Sequence, residues 1–411
     1  MPANCVAGVD IGTSEIKMVV AEEASPGRLV PRLFLREPSA GVRKGAVVEP
    51  GELVPPLTKL FHEARGMAKG ILRNLYVNIG TTQVNVQPSR GIVAVSRADS
   101  EIYQDDVERV IKAAQALTLG PNRTLIHNIV REFIVDGTAD IVDPLGLSGS
   151  RLEVQSLVID AFALHVKNVS RAIEMAGGEM RELIFNPLAA ARAALSKRRK
   201  DLGVVLIDLG AGTTGVSVYE ENKLVGVAQL PLGGSNISND IAIGLKVPVS
   251  EAEAIKMRYG HAIAKQVGAR ELVDVRQTSP ESPRTVTRRF VAEIIESRMT
   301  EIFELVDSEL QTLGKSGRLA EGVVIVGGGA KLPGIADLAR KELKLSSEVV
   351  TNLGDQWSLE TAGFAQDLNS PDFAVALGLA LSSVQSEEGP VRGAFAAPFK
   401  MGKGFLKYFL P

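Results

Sequence analysis

The chain has 411 residues, 45% hydrophobic and 23% charged, with a net charge of −2. That length exceeds what one hydrophobic core usually serves, so two or more lobes are expected, and the near-neutral balance gives no general attraction to nucleic acid. Cys5 is the single cysteine, which excludes an internal disulfide, and the four histidines are scattered without metal-ligand spacing. With no secretory leader and no apolar run of about 18 residues, the chain would meet a membrane only by its surface, from the cytoplasmic side.

The first predicted element is a hairpin. "CVAGVDIGTSEIKMVVAEE" (5–23) is an apolar β-branched strand, then Asp-x-Gly, a hydroxyl-rich turn, and a second alternating strand. "NLYVNIG" (74–80) reads as a further strand. From 87 to about 162 follow a strand ("GIVAVSR"), an amphipathic helix ("QDDVERVIKAAQAL") and two strands ("RTLIHNIVREFIVD", "LEVQSLVIDAF"). "NPLAAARAAL" (186–195) is a helix rich in small residues, suited to close crossing of another backbone. The basic run "KRRK" (197–200) reads as a solvated helix end before the next strand. "GVVLIDLGAGTTGVSVYEENKLVG" (203–226) then repeats the first hairpin, placing Asp208 a distance of 198 residues from Asp10. Two copies at half-chain spacing indicate a duplicated core. "GVVIVGGGAKLPGI" (322–335) is a buried strand running through three glycines to a helix start, and "FAVALGLAL" (373–381) is a second small-residue helix.

The chemistry lies in the turns. Gly12, Gly210 and Gly212 let backbone N–H groups approach a ligand, and Thr13, Ser14, Thr213 and Thr214 add hydroxyl donors. Two such turns face to face would grip a phosphate chain from both sides. Asp10 and Asp208 would hold a hydrated Mg²⁺, and Lys17 would carry positive charge toward a phosphate. Gly327, Gly328 and Gly329 read as the nucleoside end of the same site.

The segment 382–397 has no apolar period and reads as a linker, flexible over 387–397. After it comes "PFKMGKGFLKYFLP" (398–411). On a helical wheel with Phe399 at zero, Lys403, Lys407 and Lys400 fall at about 40°, 80° and 100°. Leu406 and Leu410 flank zero, and Phe405 and Phe409 extend a broad apolar arc. That is the pattern of a helix lying in a lipid headgroup layer; the alternative is a helix docked on the protein's own core.

Two phosphate turns, a third glycine segment and two small-residue helices, in this order, resemble the actin, Hsp70 and sugar-kinase superfamily. "DPLGLSGSRLEVQSLVI" (143–159), "SEAEAIKMRYG" (250–260) and "RRFVAEIIESRMTEIFELV" (288–306) resemble signature stretches of the bacterial cell-division FtsA family, over nearly the whole chain. The resemblance implies an α/β, two-lobed actin-like ATPase fold with ATP and Mg²⁺ in the cleft. The first-lobe core would be 1–86, 163–200 and 372–386; the second, 201–232 and 300–371. Residues 87–162 would be the relocated subdomain of the family, contacting neighbours in a filament and other division proteins. Residues 233–299 would be a small subdomain in which Glu253 and Lys256 approach the ribose and Arg288, Arg289 and Glu293 mark the surface for FtsZ. The tail would be the membrane anchor, through Phe399, Lys400, Lys403, Phe405, Leu406, Lys407, Phe409 and Leu410, binding anionic lipid and placing the protein peripherally at the division site. Asn186 departs from the chaperone branch, which has an acid there; an amide cannot accept a proton from attacking water, so weak or no ATPase activity is expected. Pilus-assembly actin-like ATPases and sugar-kinase phosphotransferases are the alternatives.

Overall fold

A computed structural model describes residues 5–385 apart from 26, 69, 97–98, 276–284, 351, 354–356 and 358–361. The tail (398–411) and the 387–397 linker therefore lie outside the described residues.

Two five-stranded sheets share one topology. In the first, Met180–Phe185, Leu75–Ile79, Cys5–Ile11, Glu15–Ser25 and Arg28–Pro38 lie side by side in that order. In the second, the matching order is Ser347–Val349, Val323–Val326, Val204–Leu209, Thr214–Glu220 and Lys223–Leu230. Each sheet is an antiparallel three-strand meander extended by two parallel strands. The central strands are buried along their whole length, which is why they read as continuous Val/Ile/Leu runs rather than alternating ones.

Each lobe has its own core: Val9, Met18, Phe61, Val77 and Phe185 belong to the first, and Ile207, Val216, Ile295, Phe303 and Ile325 to the second. A third apolar cluster lies between the lobes, around the helices Asn186–Ala194 and Ala374–Gln385. Their crossing is as close as the small residues allow. A Cβ on Gly378 would sit 1.7 Å from the Ala189 carbonyl oxygen; the second helix also lies close on the strand Cys5–Ile11, where a Cβ on Gly8 would sit 2.1 Å from the Ala376 carbonyl oxygen.

The block inserted in the first lobe is a four-stranded sheet, Val84–Ala94, Arg151–Phe162, Arg123–Val135 and Thr138–Ile141, with the helix Gln104–Gln115 on one face. It begins at Val84 rather than 87 and has one strand more than the sequence suggested. Asp136 and Gly137, both at positive φ, form the tight turn that sends the chain back as Thr138–Ile141; Asp-Gly was the available signal.

Two expectations are corrected. The basic run 197–200 opens a short helix, Lys197–Leu202, instead of closing one, because the Ser196 hydroxyl caps it by accepting from Arg199 N at 3.3 Å. Nor is the run simply solvated. Arg199 pairs with Glu348, and Lys200 lies 5.1 Å from the Tyr219 ring, where burial lowers its pKa to about 8. The boundary drawn at 299/300 falls inside one uninterrupted 25-residue helix, Arg288–Thr312, shared by the second core and its small subdomain.

Candidate functional site

Between the lobes lies a cleft of about 530 Å³, floored by the ends of the two duplicated hairpins. The turns close identically: Gly12 N donates to the Glu15 carbonyl at 3.0 Å and Gly210 N to the Thr213 carbonyl at 3.0 Å. They also touch. A Cβ on Gly212 would stand 2.6 Å from Thr13 Oγ1, so only glycine lets the second turn close on the first.

Asp10 and Asp208 end equivalent strands and are both buried. Burial raises the Asp10 carboxyl to about 6, with Lys17 opposing. Burial and the neighbouring charge of Asp10 raise Asp208 to about 7. Asn78 holds Asp10 through Nδ2 at 2.8 Å and ties it to the helix start, donating also to Asn186 Oδ1 at 3.0 Å. Among the described residues no hydrogen bond or ion pair reaches the Asp208 carboxyl group; its backbone carbonyl accepts from Gly210 N at 3.1 Å. Burial holds both carboxyls above their ordinary range although Lys17 opposes the shift of each, and hard oxygen donors of this kind suit Mg²⁺. No group of three or more His, Cys, Asp or Glu that could hold a metal occurs among the described residues, so such an ion would keep most of its waters.

Lys17 faces Asp10 across the hairpin ladder, with Nζ 3.4 Å from Glu15. Thr13, Ser14 and Lys17 all line the cleft. So do Gly327, Gly328 and Gly329, with divided tasks. Gly327 has φ of 87°, and a Cβ there would lie 2.4 Å from Asp208 Oδ1; Gly329 packs on Leu209; Gly328 has nothing within 4 Å and faces open space. Glu253 and Lys256 reach the opposite wall as a pair at 2.6 Å. Lys256 also donates to the Gly234 carbonyl and to Ser238 Oγ, each at 3.0 Å.

Thr214 is a correction. It is fully buried, is absent from the cleft wall, and donates its hydroxyl to the Leu232 carbonyl at 2.9 Å. Alternation along the strand turns Thr213 to the cleft and Thr214 away. Arg288, Arg289 and Glu293 lie outside the cleft. Arg288 donates to the Tyr259 carbonyl and to Glu271, and Arg289 to the Val267 carbonyl, so both arginines brace the small subdomain. Glu293 is exposed and lines a separate groove with Asp240, Ile294, Ser297, Arg298 and Glu301. The membrane candidates Phe399 to Leu410 lie outside the described residues.

Sequence reasoning missed Gly233, Gly234, Arg36, Lys331 and Asp372, all in the cleft wall. Asp372 is nearly buried and gathers Lys331 at 2.9 Å and Arg36 at 3.4 Å from opposite sides of the cleft. No local motif announces that trio. The Gly-Gly pair at 233–234 was a usable signal: a Cβ on Gly233 would meet the Gly210 carbonyl oxygen at 2.7 Å.

Comparison with known proteins fits this architecture. The family profile "Cell division protein FtsA" matches residues 205–378, and "SHS2 domain inserted in FTSA" matches 81–160. The chain is 37% identical to the cell division protein FtsA of Bacillus subtilis (strain 168) over 343 residues, covering 84% of this chain and 78% of that one. Against FtsA of Pseudomonas aeruginosa the identity is 32% over 382 residues, covering 93% and 90%. Among solved structures, the PilM–PilN type IV pilus biogenesis complex aligns with a TM-score of 0.65 at 21% identity, covering 92% of this chain and 98% of that one. MreB5 of Spiroplasma citri bound to ADP aligns at 0.53 and 12%, covering 94% and 99%; both likenesses speak for the fold alone. With the actin-like fold, the inserted subdomain and relatives above 30% identity along most of its length, the chain belongs to the FtsA family of bacterial cell-division proteins.

Proposed function

We propose that the cleft binds ATP with Mg²⁺, and that ATP-bound protomers assemble into a filament that tethers FtsZ to the cytoplasmic face of the membrane at the division site. The observation that carries the reading is the meeting of two matching glycine turns over two buried carboxyls that burial holds above their ordinary range despite Lys17. Asp10 and Asp208 would hold the hydrated ion, which would supply charge neutralisation to the phosphates. Backbone N–H groups of the two turns, with Thr13, Ser14, Lys17 and Thr213, would grip the phosphates. Gly327, Gly328 and Gly329 would admit the nucleoside, beside Glu253 and Lys256.

Asn186 occupies the place from which a base would act and has no proton-accepting group. Binding of ATP, not cleavage, would therefore license assembly, and a non-hydrolysable analogue should support filaments as well as ATP does. The groove containing Glu293 is mixed in charge around Ile294, with Arg298 held on Asp240 at 2.7 Å. It is the surface offered to FtsZ, and Glu293→Lys should weaken that binding. The inserted sheet would meet filament neighbours and other division proteins.

No helix among the described residues is long and apolar enough to cross a membrane. Attachment is assigned to the tail. Each fully buried Phe or Leu contributes about 1.5–3 kcal/mol, an interface realises roughly half of that, and each lysine adds about 1 kcal/mol against anionic lipid. Set against the ordering of some twelve residues, about 1 kcal/mol each, the balance resembles one weak lipid anchor. A filament presents many tails at once and makes attachment durable through effective concentration. Sedimentation with anionic liposomes tests this. The full chain with ATP should pellet. A truncation after Ala397 and Phe405→Glu should stay in the supernatant while still binding ATP. Pelleting of the truncated chain would remove the tail from the proposal.

A further inference from the structure

Behind the second phosphate turn, Gln229 makes a contact that decides where a proton can point. Its Nε2 donates to Thr213 Oγ1 at 2.7 Å, while its Oε1 is buried with no hydrogen-bond partner among the described residues. Gln229 stands opposite Gly215 in the ladder. A Cβ on Gly215 would lie 3.4 Å from Gln229 Oε1 and 3.1 Å from Pro187, so the amide is confined. Thr213 lines the cleft and Gln229 does not. Because Thr214 spends its hydroxyl on Leu232, Thr213 carries the one hydroxyl of residues 208–215 that reaches the cleft.

A hydroxyl has one proton and two acceptor lone pairs. When the Gln229 amide donates to it, the Thr213 proton remains for another acceptor. Either amide orientation leaves one buried polar atom without a partner, so counting hydrogen bonds does not choose between them. A phosphate in the cleft does, because only the donating amide leaves a proton for an anion. We infer that Gln229 is a positioning residue that fixes the polarity of Thr213, holding its hydroxyl as a donor toward a phosphate oxygen. The inference rests on the nucleotide reading above.

Gln229→Glu is nearly isosteric but has no donor when ionised. It would take the Thr213 proton and leave a lone pair facing the phosphate. Titration calorimetry of the full chain with Mg·ATP, and with adenosine by competition, reads the difference. Gln229→Glu should lose about ten- to a hundredfold in ATP affinity, the scale of a hydrogen bond to a charged group, and less than about threefold for adenosine. Gln229→Met should lose less ATP affinity than Gln229→Glu. In a Thr213→Val background, Gln229→Glu should cost little more, since contacting residues do not add. ATP binding by Gln229→Glu as tight as wild type, equal losses for ATP and adenosine, or full additivity with Thr213→Val would each overturn the inference. Wild type binding neither ligand would overturn the nucleotide reading itself. Should Gln229→Glu fail to fold, Thr213→Ser must keep wild-type ATP affinity within about threefold where Thr213→Val does not; equal losses in both would overturn it.

Discussion

The two hairpins that floor the cleft are one design with opposite solutions at the same position. Lys17 pairs with Asp10 in the first ladder and Gly215 with Asp208 in the second. In the first, that position supplies charge. In the second it supplies space, filled by Pro187 of the helix that crosses between the lobes and by the Gln229 amide. The carboxylates differ accordingly. Asp10 has Asn78 as a donor and Lys17 as its ladder partner and rises to about 6; Asp208 has no such donor among the described residues, and burial with the Asp10 charge outweighs Lys17 and raises it to about 7. A duplicated element can thus keep its turn geometry while one copy takes the electrostatics and the other the close approach of the lobes.

The sharpest way to break the symmetry is Gly212→Val against Ser14→Ala, at matching positions of the two turns. Valine at 212 cannot coexist with Thr13 at its present distance. It should abolish the ATP-induced rise in thermal midpoint, which for wild type at a hundredfold excess over Kd corresponds to about 2.7 kcal/mol. Ser14→Ala should lower ATP affinity only about threefold. Second in size, Lys17→Met should weaken ATP binding about ten- to a hundredfold, with most of the loss persisting at high salt because Lys17 is buried. If Lys17→Met binds as wild type does, the first turn does not supply the charge.

A smaller effect concerns Asp208 in the ligand-free protein. The native state keeps a proton there up to about pH 7, whereas the unfolded chain loses it near 3.8. Between those values the native state binds more protons, so this group's contribution makes stability fall as pH rises. Buried His127, held neutral down to about 4, acts in the opposite direction below its ordinary 6.5. The measurable quantity is therefore the wild-type midpoint minus that of Asp208→Asn. It should become more negative by about 2 °C or more between about pH 5 and 7.5, and Mg·ATP should erase the trend. The smallest effect belongs to Asn186→Ala, which should change the rate of phosphate release from ATP by less than about twofold, since an amide takes no proton from water. A tenfold drop would show that Asn186 acts in hydrolysis after all.

Much of the site was legible because duplication writes the same pattern twice. Asp-x-Gly at 10–12 and 208–210, with β-branched runs on either side, gave both hairpins and both carboxylates. Gly327 to Gly329 stood out by composition, but their separate tasks did not, since whether a glycine meets Asp208 or open space depends on what lies opposite. Thr214 was misread because a hydroxyl in a turn looks like a donor until its own strand's alternation is known. The short return strand Thr138–Ile141 was missed although Asp136-Gly137 announced it, and the basic run 197–200 was placed at the wrong end of its helix because the Ser196 cap was not weighed.

By itself the sequence determined the family, the two-lobed fold, the duplication of the Asp-x-Gly turns and the small-residue helices, all of which rest on local periodicity, glycine placement and repetition. The tertiary structure decided which groups share a site. Arg36, Lys331 and Asp372 come from an edge strand, a short turn and a helix start, 336 residues apart at the extremes of the Arg36–Asp372 pair. Nothing in their neighbours marks them, because a charge acquires its partner only when the chain is folded. Arg288 and Arg289 read as a charged surface and are instead bonded to backbone carbonyls, and Gln229, an ordinary polar residue in a strand, sits where a single amide can orient the hydroxyl of Thr213. Patterning fixes which face of an element is apolar; only packing fixes which polar groups must answer one another.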